Sequence, residues 1–353
     1  LCLYTIAHVE KRKFNKLIKQ SQLNDNHSGV LENVYDNDLP HPYFNPEKIG
    51  FYNYRLFQPD RYSIRSALPN KSIVFHDSEQ YLPGTKEFNI VGNSPLTEKD
   101  YIITSCITDN DHRYPVPYVF NSWHLVQTRE ANKNYHALHP VNRPFFADVL
   151  LGNTKPDRDI FFNLLKKQGL LEKCIVNYFN QYKSIFLKNS KEPVNKNIDN
   201  TNDVSNVKTA TNTQNFFTSQ LISEEIYENS WFTIAAESLC RNDIFFPTEK
   251  IGKPMLANRP FIVLSGKHYL KKLKSLGFIT FHPFIDETYD DIDDKETRIK
   301  SAFNSFTECM SQDPFEFRKK IAPILDHNEA LMRNKADLTK QARQFLDDIR
   351  SKL

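Results

Sequence analysis

From about Asn142 onward, hydrophobic and polar residues alternate in blocks that read as strand, loop, helix and strand in succession. The first block, Phe146 to Leu151, is a mixed apolar run that closes at Gly152-Asn153-Thr154-Lys155-Pro156. Asp157 then opens a helix in which Ile160, Phe161, Leu164 and Leu165 share one face. Gly169 ends that helix, and Cys174 to Phe179 supplies the next strand. Further on, the pattern predicts a strand over Trp231 to Ala236, a helix from Thr248 to Asn258 with Thr248 as N-cap, and a strand over Phe261 to Leu264 entered through Pro260. His268 to Leu276 reads as an amphipathic helix, with Tyr269, Leu270, Leu273 and Leu276 inward and Lys271, Lys272 and Lys274 outward. Gly277 closes it, and Phe278 to Phe281 reads as one more strand. Strands and helices alternating over such short connections imply a parallel sheet covered on both faces.

The first half is less regular, with strands expected at Ser72 to Phe75, Tyr101 to Thr104 and Tyr118 to Phe120. The expected architecture is α/β, with two doubly wound domains and a cleft between them. Residues 1–141 would form an acceptor-side domain and 142–314 a ligand-binding domain; 315–353 would be a helical tail with a kink at Pro323. Within the second domain, residues 188–214 collapse into Asn, Lys, Asp, Thr and Ser, the composition of a polar insertion loop or a disordered segment.

Composition excludes more than it selects. No run approaches the ~20 apolar residues that a membrane span needs, and the mean hydropathy is −0.57. A net charge of +3, from 46 basic and 43 acidic residues, permits nucleic acid without indicating it. The five cysteines are odd in number and scattered, which fits a reducing, cytoplasmic compartment better than a disulfide framework or a zinc cluster. Only nine glycines occur and none forms a dinucleotide or Walker phosphate loop, so any phosphate must be held by side chains and helix ends.

In open parallel sheets ligands bind beyond the carboxyl ends of strands, so the loops after Leu151 and Ala236 are the places to search. Lys155 and Arg158 stand at the first helix start and Thr248, Glu249 and Lys250 at the second, where unpaired N–H groups and partial positive charge would hold a diphosphate. Glu249 would accept hydrogen bonds from ribose hydroxyls. The plainer reading makes Thr248 a cap and Glu249 a favourable first-turn acid. In the first half, the strand at Ser72 ends in His76-Asp77-Ser78-Glu79, which offers a general base or an ordinary polar turn. Asp290-Asp291 and Asp293-Asp294 lack the glycine and spacing of a calcium loop and read as a solvated acidic stretch, so no metal site is expected.

The run from Trp231 through Glu237-Ser238 to Phe246-Pro247-Thr248-Glu249-Lys250-Ile251, followed by Lys253-Pro254 and Pro260 to Leu264, resembles the donor-site signature of the α-1,3-fucosyltransferases, glycosyltransferase family ten. It is closer still to a group of bacterial and viral glycosyltransferase-like proteins that add a Leu-Gly-Phe segment and an acidic stretch, here Leu276-Gly277-Phe278 and Asp286-Glu287-Thr288-Tyr289-Asp290. The resemblance covers roughly Pro144 to Asn328 and implies a GT-B fold, two Rossmann-like domains facing across a cleft. It also implies inverting transfer of a sugar from a nucleotide diphosphate to a carbohydrate or glycoconjugate hydroxyl, without metal or other cofactor. Glu249 would contact ribose and Lys250 the diphosphate, with Lys155, Arg158, Glu237 and Thr248 in the same donor site and Glu79 or Asp77 as base. Phe246-Pro247 replaces the usual Tyr-Val and Ser238 the usual Asn, which puts fucose and guanine in question. Two other readings stay open: a noncatalytic carbohydrate- or nucleotide-binding protein that keeps the pocket, and a transferase acting on modified nucleic-acid bases.

Overall fold

The computed structural model describes residues 49–53, 72–77, 101–108, 117–120, 122–137, 142–189, 204–208, 213–217 and 220–352. The chain divides into two compact units, one taking residues up to Trp123 together with Thr339–Leu353 and the other His124–Leu338. The pattern of the sequence places the change at 141/142. The helix that makes the difference is α1 (Trp123–Ala131), whose Leu125 and Thr128 pack so closely on Gly252 that a Cβ there would lie 3.2–3.3 Å from them.

In the first unit, β1 (Ile49–Asn53), β2 (Ser72–Asp77) and β3 (Tyr101–Thr104) are followed by the two-residue β4 (Ile107–Thr108) and by β5 (Tyr118–Phe120). β1, β2, β3 and β5 form a sheet in that order, parallel throughout. Asp77 is the last residue of β2, opposite Thr104 at the carboxyl end of the sheet.

The second unit is built on β6 (Phe145–Gly152), β7 (Cys174–Tyr178) and β8 (Tyr182–Lys183), with α2 (Pro156–Lys167) between the first two and α3 (Ile185–Asn189) after the third. Of the polar stretch 188–214, residues 190–203 and 209–212 lie outside the described residues. β9 (Val204–Lys208) and β10 (Thr213–Phe217) pair as an antiparallel hairpin. Next come α4 (Glu224–Asn229), β11 (Ser230–Ala236), β12 (Ile244–Phe245), α5 (Glu249–Leu256), β13 (Phe261–Leu264) and α6 (Tyr269–Ser275). Three helices finish the chain: α7 (Lys295–Met310), α8 (Pro314–Arg333), which contains Pro323, and α9 (Lys335–Lys352).

The central sheet has the order β13-β11-β6-β7-β8, parallel except for β8. Every residue of β7, β11 and β13 is buried, which is why these strands read as continuous apolar runs rather than alternating ones. α7 packs on α2, with Phe161 edge-on to Phe303 at 5.3 Å and Phe306 beside both. α5 lies against β11 and β13 and is backed by α8. The protein is thus an α/β molecule with a mostly parallel central sheet.

The chain leaves β6 towards β7 on one side, then returns to β11 on the other. The order of strands therefore reverses between β6 and β11, the kind of switch point where open sheets leave a crevice beyond their carboxyl ends.

The expected strand at Phe278 to Phe281 is not one. Its backbone groups are taken by side chains: Asn328 accepts from the Ile279 N–H at 2.9 Å and donates to its carbonyl at 2.8 Å, while Glu287 accepts from the Phe281 N–H. An amide and a carboxylate fill the places of a neighbouring strand, so the apolar run stays irregular.

Candidate functional site

β6 ends at Gly152, whose φ of +67° favours glycine and turns the chain into Asn153-Thr154-Lys155. Pro156 then occupies the first turn of α2, where its missing N–H costs nothing. Tyr178, at the end of neighbouring β7, holds this corner: its hydroxyl donates to Asp159 at 2.6 Å and accepts from the Lys155 N–H at 3.3 Å. Burial and the hydrogen bond to Asp159 push that phenol up to about 12, so it stays a donor.

Arg158 ties this corner to the next strand. One guanidinium nitrogen donates to the Asn153 carbonyl at 3.0 Å; the other donates to the carbonyls of Ala236 at 3.3 Å and Glu237 at 3.0 Å. The residue is only 4 % exposed, and burial lowers its pKa against the pull of Asp157 and Glu237. Its two terminal nitrogens are committed to the two loops, while the buried Nε has no hydrogen-bond partner among the described residues, so the side chain fixes the spacing of the loops and adds positive charge beside them.

Glu237 follows β11 and is 1 % exposed. One carboxylate oxygen accepts from the Thr248 N–H at 3.0 Å and the Tyr269 hydroxyl at 2.7 Å, the other from the Thr248 hydroxyl at 2.6 Å and the Ser238 N–H at 3.3 Å. These four bonds fill a carboxylate's usual capacity. Glu237 therefore ties β11 to the starts of α5 and α6. Thr248, the N-cap of α5, also accepts from the Lys250 N–H at 3.3 Å.

Two ammonium groups remain at the surface of this framework, and they converge on one residue. The Lys155 ammonium donates to the Ser238 carbonyl at 2.6 Å, and that of Lys250 to the Ser238 hydroxyl at 3.3 Å and to Glu249 at 2.5 Å. Lys155 is half-buried, and burial together with Arg158 lowers its pKa. Burial alone would raise the pKa of Glu249, but the charges of Lys250 and Lys253 outweigh it and hold the carboxyl at about 2. Phe246, just before this turn, is buried edge-on against His124 at 5.1 Å.

A close approach knits the loop after β13 to the loop after β11. A Cβ on Gly266 would stand 1.8 Å from the Arg241 carbonyl, Ser265 donates to the Leu239 carbonyl, and the Cys240 thiol donates to the Ser265 carbonyl. The acidic stretch beyond is not simply a solvated loop. Asp290 is 8 % exposed and accepts from the Leu270 and Lys271 N–H groups, which caps α6; Asp293 pairs with Lys267 at 2.8 Å, and Asp294 caps α7. Among the described residues, no group of three or more His, Cys, Asp or Glu is placed to hold a metal ion, and no helix is long and apolar enough to cross a membrane.

The structure thus brings Lys155, Arg158, Glu237, Thr248, Glu249 and Lys250 together at the switch point. Asp77 lies at a strand end in the first unit, and Glu79 is outside the described residues. Sequence reasoning missed the convergence on Ser238, although its place directly after a strand-end acid was a usable signal. It also missed Tyr269, read only as an inward residue of α6. Compared with models of protein families, with curated proteins and with solved structures, the chain matches none.

Proposed function

We propose that this protein is a nucleotide-binding α/β enzyme, and more particularly a glycosyltransferase that takes its sugar from a nucleotide diphosphate. The observation that carries the reading is the meeting of Lys155 and Lys250 on Ser238 at the switch point, above loops fixed by Arg158 and Glu237. Two cations from the first turns of two helices, close to each other and partly withdrawn from water, suit a diphosphate in charge and span. The donor-site resemblance of this same segment supplies the reaction.

In a single displacement the acceptor oxygen attacks the anomeric carbon and gives its proton to a carboxylate of the first unit, Asp77 or Glu79. The bond from that carbon to the phosphate oxygen breaks, and its electron pair leaves with the diphosphate, whose new charge Lys155 and Lys250 neutralise. The anomeric centre inverts. The GT-B reading assigns acceptor binding to the first unit, and the acceptor is a carbohydrate or glycoconjugate hydroxyl.

The test has two parts. Lys250→Ala and Lys155→Ala should each weaken binding of nucleoside diphosphates about ten- to a hundredfold, as loss of a charge-assisted hydrogen bond predicts. The wild type should release sugar from at least one nucleotide sugar in a panel. Unchanged calorimetric binding in both folded variants would remove the donor site. Binding without any turnover would leave a noncatalytic nucleotide-binding protein.

A further inference from the structure

Lys155 and Lys250 reach the site from the starts of two different helices, yet the oxygens that anchor their ammonium groups belong to one residue. The Ser238 carbonyl accepts from Lys155 at 2.6 Å and the Ser238 hydroxyl from Lys250 at 3.3 Å. Ser238 is itself fixed. Its N–H donates to the Glu237 carboxylate at 3.3 Å, the Glu237 carbonyl before it accepts from Arg158 at 3.0 Å, and the Leu239 carbonyl after it accepts from the Ser265 hydroxyl at 3.1 Å. Bonds on both sides thus hold the backbone from which the two cations hang.

The two anchors ask different things of the sequence. Lys155 is tied to main chain, which any residue at this position would supply, whereas Lys250 needs the hydroxyl. The other partner of Lys250 is the Glu249 carboxylate at 2.5 Å, an acid held ionised down to about pH 2. Without the hydroxyl, Glu249 alone would direct an ammonium on a flexible four-carbon stem. Charge would also part the pair: burial first, then the charge of Arg158 and, less, that of Lys250 lower the pKa of Lys155, so the two ammonium groups repel each other across the gap. Each still has donors to offer. An ammonium carries three, of which Lys155 leaves two and Lys250 one uncommitted among the described residues. Either group can hold a single phosphate, but two linked phosphates engage both at once and relieve their repulsion.

We propose that Ser238 is a positioning residue: its hydroxyl keeps the Lys250 ammonium beside that of Lys155, and the spacing so fixed makes the site favour two linked phosphates over one. The proposal rests on the diphosphate reading of Lys155 and Lys250. Cations set in place before the anion arrives need not be ordered on binding, and that saving is largest for the ligand that uses both.

The experiment measures inorganic pyrophosphate and orthophosphate by calorimetry on wild type, Ser238→Ala, Ser238→Cys and Ser238→Thr, with pyrophosphate repeated on Lys250→Ala and on Lys250→Ala carrying Ser238→Ala. Loss of the hydroxyl should weaken pyrophosphate about tenfold and orthophosphate by no more than about threefold. Cysteine, close to serine in size but a weak acceptor, should repeat that loss even where alanine disturbs the fold, and threonine, which keeps the hydroxyl, should recover most of the affinity. Because the hydroxyl acts through Lys250, Ser238→Ala should cost nothing further once Lys250 is alanine, whereas a merely structural disturbance would add its full cost. Unchanged pyrophosphate binding in the Ala and Cys variants, an equal fall for the two anions, no recovery with threonine, or a full further loss in the Lys250→Ala background overturns the inference alone. Failure of pyrophosphate to bind the wild type overturns the diphosphate reading and this inference with it.

Discussion

Two arginines of the second unit are buried to nearly the same degree and bridge the same pair of strands, yet they do opposite things. Arg259, towards the amino ends of the sheet, is fully buried and meets a carboxylate: it donates to Asp148 at 2.8 Å, to Ser230 at 2.9 Å and to the carbonyls of Phe232 and Tyr227 at 2.8 Å, with its guanidinium 4.3 Å from the Tyr227 ring. Arg158, at the carboxyl ends, is 4 % exposed and donates to carbonyls alone. At the amino side charge meets charge, and of the Arg259 guanidinium only the buried Nε lacks a hydrogen-bond partner among the described residues. At the carboxyl side the guanidinium meets no carboxylate, and the ammonium groups of Lys155 and Lys250 stand at Ser238. On the function proposed above, the difference separates a sheet end that serves stability from one that serves binding.

The largest effect should come from breaking the closed end. Burial pushes the Asp148 carboxyl up, and Arg259 opposes that push. Arg259→Met would leave Asp148 charged and buried with two hydroxyls, at a cost of about 3–5 kcal/mol in denaturant unfolding. Adding Asp148→Asn should recover part of that loss, since the second change removes the stranded charge. If both variants unfold at the wild-type denaturant concentration, the amino end is not held by this pair.

A smaller effect, and one that depends on pH, belongs to Glu249. Its pKa falls from the ordinary 4.5 to about 2 in the fold. A depressed carboxyl pKa adds stability that is fully present above the unfolded value and is lost as pH falls through the folded one. The shift corresponds to about 3 kcal/mol at neutral pH and roughly half of that at pH 3. The measurement is the stability gap between wild type and Glu249→Gln in urea at pH 7 and pH 3. A gap that does not narrow would mean that the Lys250 and Lys253 charges are not what hold this acid ionised.

These contrasts were only partly legible in the chain. Strands β6, β7, β11 and β13 announce themselves as short, mainly apolar runs, and α2 and α5 because Asp157 and Thr248 mark their starts. The same rule misreads Phe278 to Phe281, since an apolar run does not say whether a strand or a pair of side chains will satisfy its backbone. Position after a strand placed Glu237 and Arg158 at the site, but not what they bind, which depends on Tyr269 and on carbonyls 78 and 79 residues away. Asp148 passes unremarked within the mixed apolar run Phe146 to Leu151, and its partner lies 111 residues on, beyond any local pattern.

The smallest effect on stability should be at Lys155, and it bears most directly on the comparison. A cation that the fold uses to hold itself together should cost several kcal/mol when removed, as at Arg259. Lys155 has one hydrogen bond from its ammonium, to the Ser238 carbonyl, and burial with the nearby charge of Arg158 lowers its pKa, so the folded state disfavours its charge. A lowered lysine pKa means that the charged form weakens the fold, and that this penalty lifts as pH rises above the folded value. Lys155→Met keeps the length of the side chain and removes the charge; the lost hydrogen bond and the relieved desolvation should nearly cancel, leaving stability within about 1 kcal/mol of wild type. The same substitution should weaken pyrophosphate binding about ten- to a hundredfold, because half of the cationic pair at Ser238 is gone. A loss of stability as large as that of Arg259→Met would show that Lys155 is a structural clamp, and that the two ends of the sheet are built alike.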